Sequence, residues 1–108
     1  MIFGEIIRQE RLKQGLSQKE LSALVLKENG QPITQQYLND LEHGRRNAPP
    51  PSLIEQLAKA LSLEPEFLYY LAGEIPAAWV SLQSERKRIV AGYRALYKEL
   101  TKSTAAER

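Results

Sequence analysis

The sequence predicts an all-α protein in which five short helices are followed by one long amphipathic helix. In six successive segments, apolar residues recur three and four positions apart, and capping residues, glycines or prolines separate these segments. No segment shows the strict alternation of a strand, and no internal repeat occurs. Because 108 residues suffice for one core and an appendage, we expect a domain over residues 1–75 and a helical extension over residues 76–108.

The first two helices meet at Gly15 and Ser17. Helix one is predicted over residues 2–14, and Gly15 is a natural C-terminal stop. Ser17 can cap helix two, because Glu20 stands at the third helical position and completes a capping box. The apolar residues expected to face the core are Ile2, Ile6, Ile7 and Leu12 in helix one and Leu21, Leu24 and Val25 in helix two.

The third helix is predicted between a capping threonine and a terminal glycine. Thr34 precedes residues 35–43, and Gly44 supplies the left-handed stop. Before it, Asn29, Gly30 and Pro32 form a loop.

Helices four and five begin after prolines. The rigid run of prolines 49–51 leads to Ser52, which is expected to cap helix four. Helix five is expected to start at Pro65 and to end at Gly73. Their predicted core residues are Leu53, Ile54, Leu57, Ala58 and Leu61, followed by Phe67, Leu68 and Leu71.

The last helix is predicted over about residues 81–102, a length of roughly 30 Å. Its apolar side is wider than one small globule needs, so we expect it to form a homodimer contact, and Gly92 would admit a close partner. The alternative is that it folds back on its own domain, fastened by Tyr69, Tyr70 and Trp79. The predicted dimerisation residues are Leu82, Ile89, Tyr93, Leu96, Tyr97 and Leu100.

Composition argues against several classes of protein. The absence of Cys excludes disulfides and thiolate metal sites, and no apolar stretch resembles a signal peptide or a membrane span, so we expect a cytoplasmic protein. His43 is the only histidine, and no second ligand or nucleophile accompanies it. We therefore predict no enzyme activity, metal, cofactor or small-molecule ligand.

Charge is distributed unevenly along the chain. Residues 1–75 hold 8 basic and 10 acidic residues, whereas residues 76–108 hold 7 basic and 3 acidic ones. Bulk charge therefore does not predict a nucleic-acid partner for the first part.

The polar side of the third helix carries the functional signal. Gln36, Asn39 and Asp40 point away from the predicted core positions, with Gln35 at the N-terminal end. Glutamine and asparagine present a donor beside an acceptor, which is the pattern that pairs with adenine in the major groove of DNA.

The chain resembles the phage repressor and Cro type of helix-turn-helix protein, also called the xenobiotic response element (XRE) family. The resemblance covers about residues 3–72 and lies in "LKQGLSQKEL", "ITQQYLNDLEHGRR" and "PSLIEQLAKALSLEPEFL". It implies a five-helix, lambda-repressor-like domain and a sequence-specific transcriptional regulator, most often a repressor. Double-stranded DNA is the implied partner, read as a palindrome by a dimer.

The resemblance and the position of each residue around the third helix assign roles. Gln18 is expected to touch a phosphate and to brace Gln35, and Asp40 could accept from cytosine N4. For Tyr37, packing and phosphate contact both stay open. The expected base-reading residues are Gln35, Gln36, Asn39 and Asp40; the phosphate-contacting residues are Gln18, Lys19, Tyr37, Arg45, Arg46 and Asn47; the structural ion pair is Arg11 with Glu42.

The turn between helices two and three is longer than is usual in this family. Residues 26–32 are an insertion, which we expect to form an inert surface loop, although Lys27 or Asn29 could add contacts. Three alternative functions fit the same sequence: an antitoxin, a controller of a restriction and modification system, or a protein-interaction adaptor without DNA binding.

Overall fold

The computed structural model describes residues 2–102 and confirms the all-α class. The side chain of Ile2 and residues 1 and 103–108, to which the sequence predictions extend, lie outside this description. Within it, an isolated bridge between Leu26 and Pro32 is the only extended pairing. The seven helices are α1 (Ile2–Lys13), α2 (Gln18–Leu24), α3 (Gln35–Glu42), α4 (Pro51–Leu61), α5 (Pro65–Ala72), α6 (Ala77–Val80) and α7 (Arg86–Leu100).

Local chemistry explains where the helices start and stop. The Ser17 side chain accepts from the Glu20 backbone N–H at 3.0 Å, and Glu20 Oε1 accepts from the Ser17 N–H at 2.8 Å, so the predicted capping box at α2 is present. Gly73 ends α5 in the left-handed conformation, with φ of 72°. In contrast, α4 begins two residues earlier than expected, at Pro51, and Ser52 does not cap it, because proline is favourable at the first helical position.

One core holds α1 to α5 together. Leu38 and Leu41 of α3 and Leu57 of α4 lie at its centre with at most 1% of their surface exposed. The complete set of buried apolar residues is Phe3, Ile7, Leu21, Val25, Ile33, Leu38, Leu41, Leu53, Ile54, Leu57, Ala58, Leu61, Leu68 and Tyr69.

Gly4 allows α1 to pack closely against α3. A Cβ at Gly4 would collide with the carbonyl oxygen of Leu41 and press on that of Glu42. Only glycine therefore allows this approach, which fixes the rear of α3 against α1.

The inserted residues form a short hairpin. The Lys27 N–H donates to the Gln31 carbonyl at 2.8 Å, and the Ile33 N–H donates to that of Val25 at 2.9 Å. Val25 and Ile33 are buried, while residues 26–32 between them are exposed. The insertion is thus tied to the core at its base, and α2 ends at Leu24 instead of continuing into it.

The C-terminal segment differs from its prediction. Instead of one helix over residues 81–102, there are two, α6 and α7, separated by a break in which Gln83 has a φ of 51°. Leu82 lies in this break. No residue of either helix is buried, so the alternative, folding back onto the domain, is not seen in the described part of the chain.

Several apolar residues also lie elsewhere than expected. Leu12 and Leu24 were assigned to the core but are about half exposed, and Phe67 is 40% exposed, because each stands at the edge of its helix where no neighbouring helix covers it. Tyr69 is in the core rather than against the last helix, whereas Tyr70 and Trp79 are exposed. Those two aromatic residues therefore do not fasten α7.

Candidate nucleic-acid interface

Helix α3 separates its apolar and polar residues on opposite sides. Leu38 and Leu41 are fully buried, and Gln35, Gln36 and His43 are exposed. At its start, the Thr34 side chain accepts from the Tyr37 N–H at 3.0 Å, which caps the helix and leaves the first amide side chains directed outward. The polar side predicted from the sequence is thus accessible.

A buried ion pair anchors the end of α3 to α1. Arg11 Nε lies 2.6 Å from Glu42 Oε2, and Arg11 Nη2 lies 2.9 Å from Glu42 Oε1. Arg11 also donates to the Leu16 carbonyl at 2.9 Å, and the Glu42 side chain has no exposed surface. Since the contact is bidentate and Nη1 also donates to a backbone carbonyl, it fixes the orientation of α3 on the domain. Arg11 is thereby committed to the interior.

Gln18 braces α3, but at a different residue from the one expected. Its Nε2 donates to Asn39 Oδ1 and to Glu42 Oε1, both at 3.0 Å. Both amide hydrogens are therefore used within the protein. The brace falls on Asn39 and not on Gln35, because Asn39 lies on the side of α3 that faces α2. In the described structure, the Gln18 side chain has no donor left for a phosphate.

Asp40 links two other polar residues of the same surface. Its Oδ1 accepts from Gln36 Nε2 at 2.9 Å and from Arg45 Nε at 3.1 Å. The hydrogen bond from Arg45, with a smaller contribution from Gln36, lowers the pKa of Asp40 below its ordinary value. The carboxylate is consequently ionised near neutral pH and holds the side chains on either side of it.

Arg46 is held by an aromatic ring. Its guanidinium carbon lies 4.7 Å from the centre of the Tyr37 ring, a cation–π contact. Burial raises the pKa of Tyr37, and the nearby charge of Arg46 opposes this shift. Tyr37 therefore packs against the core, which is one of the two roles left open by the sequence, and it also positions an arginine.

The remaining predicted residues surround this surface. Gly44, Arg45, Arg46 and Asn47 line a shallow polar depression after α3, and Lys19 is exposed on α2. The Nδ1 of His43 is 2.8 Å from the Asn39 carbonyl oxygen. The side chain of Gln35 has no hydrogen-bonding partner among residues 2–102. It is therefore less restrained than the side-chain amides of Gln36 and Asn39.

The sequence analysis did not predict the contacts of Asp40 with Gln36 and Arg45. The spacing of Gln36 and Asp40, four apart on a helix, is one at which glutamine and aspartate side chains meet, and it could have indicated their bond. The contact of Arg45 with Asp40 depends on the path of the backbone after Gly44, for which the sequence offers no local signal.

The Arg11–Glu42 pair and the contacts of Gln18 hold α3 on the domain. The exposed side of α3 carries amide side chains, and two arginines follow the helix. Residues 7–68, from α1 into α5, match a family described as Helix-turn-helix. The chain belongs to this helix-turn-helix family. It is thus a DNA-binding transcriptional regulator of the Cro and repressor type, and helices α2 and α3 are its helix-turn-helix pair.

Comparisons with curated proteins and with solved structures reveal no relative of this helix-turn-helix protein. No curated protein and no solved structure shows significant similarity to it. Across residues 2–102, none of the helices has the length and apolarity needed to cross a membrane, and no group of acidic or histidine side chains in that range is arranged to hold a metal ion.

Proposed function

We propose that the protein is a repressor that binds a palindromic operator as a homodimer, with α3 of each copy in the major groove. The observation that carries this proposal is the outward side of α3, where Gln35 and Gln36 are exposed and where Gln36 and Asn39 are each hydrogen-bonded to a neighbouring side chain. Rigid presentation of donors and acceptors is what base recognition requires.

Base reading falls chiefly to Gln35 and Gln36, which stand exposed at the N-terminal part of α3. Each can pair with adenine through one donor and one acceptor. Asn39 contributes its amide hydrogens, since its oxygen is occupied by Gln18. Each bidentate pairing discriminates against a wrong base by about 1–3 kcal/mol.

Phosphate binding falls to residues that flank α3. Arg45 and Arg46 follow the helix, and Asn47 and Tyr37 line the same depression. Lys19 extends the group onto α2. These contacts set the register of α3 in the groove without reading sequence. In this proposal Gln18 acts through Asn39 instead of on a phosphate.

Dimerisation falls to α7, whose apolar side has no cover in the described chain. Ile89, Tyr93, Leu96, Tyr97 and Leu100 expose 45–71% of their surface and share one side of the helix. Monomeric proteins rarely leave so continuous an apolar patch in water. A second copy of α7 would cover it, and two half-sites would supply the selectivity that one domain lacks. Leu82, in the break before α7, would extend the contact.

Selection of bound duplexes from a random pool tests the DNA-binding proposal. We expect the selected sequences to share a palindrome with two half-sites about one helical turn apart. Recovery of no common sequence would contradict the proposal and favour a protein-interaction adaptor, for which the acidic balance of residues 1–75 is the supporting observation.

The mass in solution tests the dimer. The double variant Ile89→Glu, Leu96→Glu places charges on the apolar side and should convert the dimer to a monomer. Ala91→Glu with Ala95→Glu adds the same charge to the opposite side of α7 and should leave the dimer intact. A dimer that survives the first pair of substitutions, or a wild-type monomer, would contradict this part of the proposal.

A further inference from the structure

Asp40 lies on the polar side of α3, and its carboxylate is hydrogen-bonded to two neighbouring side chains. One oxygen, Oδ1, accepts both from Gln36 and from Arg45, and only 22% of the side chain is exposed, against 57% for Arg45. This is a poor arrangement for a group that must itself reach a base. It is a good arrangement for a group that holds two neighbours.

The contact removes an ambiguity in Gln36. A glutamine amide can present its nitrogen and oxygen in either order, and the two orders offer opposite patterns to a base edge. An ionised carboxylate only accepts hydrogen bonds, so the nitrogen of Gln36 must face Asp40. The second amide hydrogen and the oxygen are then left for the base in one fixed order. The rotamer freedom of the side chain is also lost before DNA arrives.

The charge of Asp40 has an opposite effect on general DNA binding. A carboxylate near the phosphate backbone is repelled by it. The contact with Arg45 offsets this repulsion, but it also weakens the attraction of Arg45 for a phosphate. Asp40 should therefore lower the affinity for random DNA while it raises the discrimination at one base pair.

We propose that Asp40 is a positioning residue for sequence recognition, which fixes the order of the Gln36 amide atoms and aligns Arg45, rather than a reader of cytosine. This rests on the proposed base reading by α3. It predicts opposite changes in specificity and in general affinity, which a purely structural role would not produce.

The test uses the full chain on its selected duplex, with every base pair of one half-site varied in turn. Gln36→Ala first identifies the base pair that Gln36 reads. Asp40→Ala should lose about tenfold discrimination at that same pair, while its affinity for random duplex rises about fivefold at low salt. In a Gln36→Ala background, Asp40→Ala should cause no further loss of discrimination there. Asp40→Asn keeps an acceptor oxygen, and Arg45, which can only donate, should hold that oxygen toward Gln36, so this variant should retain most of the preference.

Two results would overturn the proposal. One is a loss of preference at a different base pair that adds to the effect of Gln36→Ala, which is the signature of direct reading by Asp40. The other is unchanged discrimination in Asp40→Ala. Thermal unfolding of each variant controls for loss of the fold.

A measurement without DNA separates this proposal from the proposed function. Nuclear magnetic relaxation of the Gln36 side-chain amide should show an ordered group in the wild type and in Asp40→Asn, and a mobile one in Asp40→Ala. A wild type that selects no duplex would end the proposed function, whereas equal mobility of Gln36 in wild type and Asp40→Ala would end this one.

Discussion

Helices α3 and α7 are both amphipathic, but only α3 has its apolar side covered by other parts of the described chain. The apolar side of α3 lies in the core, with Leu38 and Leu41 fully buried, whereas Ile89 and Leu96 on the apolar side of α7 are almost half exposed. An amphipathic pattern thus predicts that one side of a helix is buried, but it does not predict whether the same chain or another molecule buries it. Substitutions in the domain and in α7 test this difference.

Removing one partner of the buried ion pair should have the largest effect on stability. Arg11→Ala leaves the Glu42 carboxylate buried without its cation, and we expect a loss of about 3–5 kcal/mol in the free energy of unfolding. The exposed pair of Lys13 and Glu10, with 3.8 Å between its atoms, supplies the control, because Lys13→Ala should change that free energy by less than about 0.5 kcal/mol. Urea unfolding measures both, and equal losses would contradict a special role for the buried pair.

The same type of substitution should act differently in the core and in α7. Leu57→Ala removes a side chain that is 1% exposed and should cost about 2–5 kcal/mol. Leu96→Ala, at an exposed position, should leave the unfolding of the diluted protein nearly unchanged but weaken its self-association. Urea unfolding at low concentration and mass at several concentrations separate the two effects. A loss of several kcal/mol for Leu96→Ala in a monomer would show that α7 packs on its own domain.

Glycines in the two regions should respond in opposite directions. Gly4→Ala forces α1 and α3 apart, because its Cβ would strike the Leu41 carbonyl, and should cost about 1–3 kcal/mol. Gly92 has no atom within 4 Å of an added Cβ, so Gly92→Ala should raise helix stability by up to about 1 kcal/mol. Thermal unfolding and circular dichroism measure the two. Destabilisation of the monomer by Gly92→Ala would contradict an open environment for α7.

The helix caps should give the smallest effect. Ser17→Ala removes the capping box of α2 and should cost about 1 kcal/mol, whereas α7 has no side-chain cap at Glu85, so Glu85→Ala should change little. Urea unfolding at neutral pH compares them. A cost for Glu85→Ala equal to that for Ser17→Ala would contradict this assignment.

The cap also predicts a pH dependence. Hydrogen bonds from the Ser17 backbone and side chain lower the pKa of Glu20 below its ordinary value of 4.5. Because the folded value is lower than the unfolded one, this contribution to stability is present above pH 4.5 and disappears as the pH falls through the lowered pKa. Glu20→Gln removes the titrating carboxyl group and should flatten the stability profile in that acid range, and an unchanged profile would contradict the coupling.

The sequence predicted those features that depend on neighbouring residues. The boundaries of α1, α3 and α5 and the start of α2 agree with the prediction within one residue, because capping residues, prolines and glycines act locally. The exposure of Leu12 and Leu24 was not predictable, since it depends on which helices lie beside them. The break around Gln83 has no proline or glycine to indicate it.

The exposed side of α3 and the Arg11–Glu42 pair were predictable, but the other contacts of the candidate site were not. The outward position of Gln36 follows from helical periodicity alone. The attachment of Gln18 to Asn39 and of Arg45 to Asp40 depends on distances between separate elements, which no spacing in the sequence contains. The sequence could therefore predict which side chains point outward, but it could not predict the contacts that orient them.

The ratio of affinities for the selected duplex and for random DNA tests the central claim most directly, measured for Gln36→Ala and Arg46→Ala over a range of salt concentrations. If α3 reads bases and the arginines hold phosphates, Gln36→Ala should lower this ratio about tenfold or more. Arg46→Ala should leave the ratio unchanged while weakening binding to both duplexes and reducing the salt dependence by about one counterion. Equal losses for the two variants on both DNAs would contradict the account.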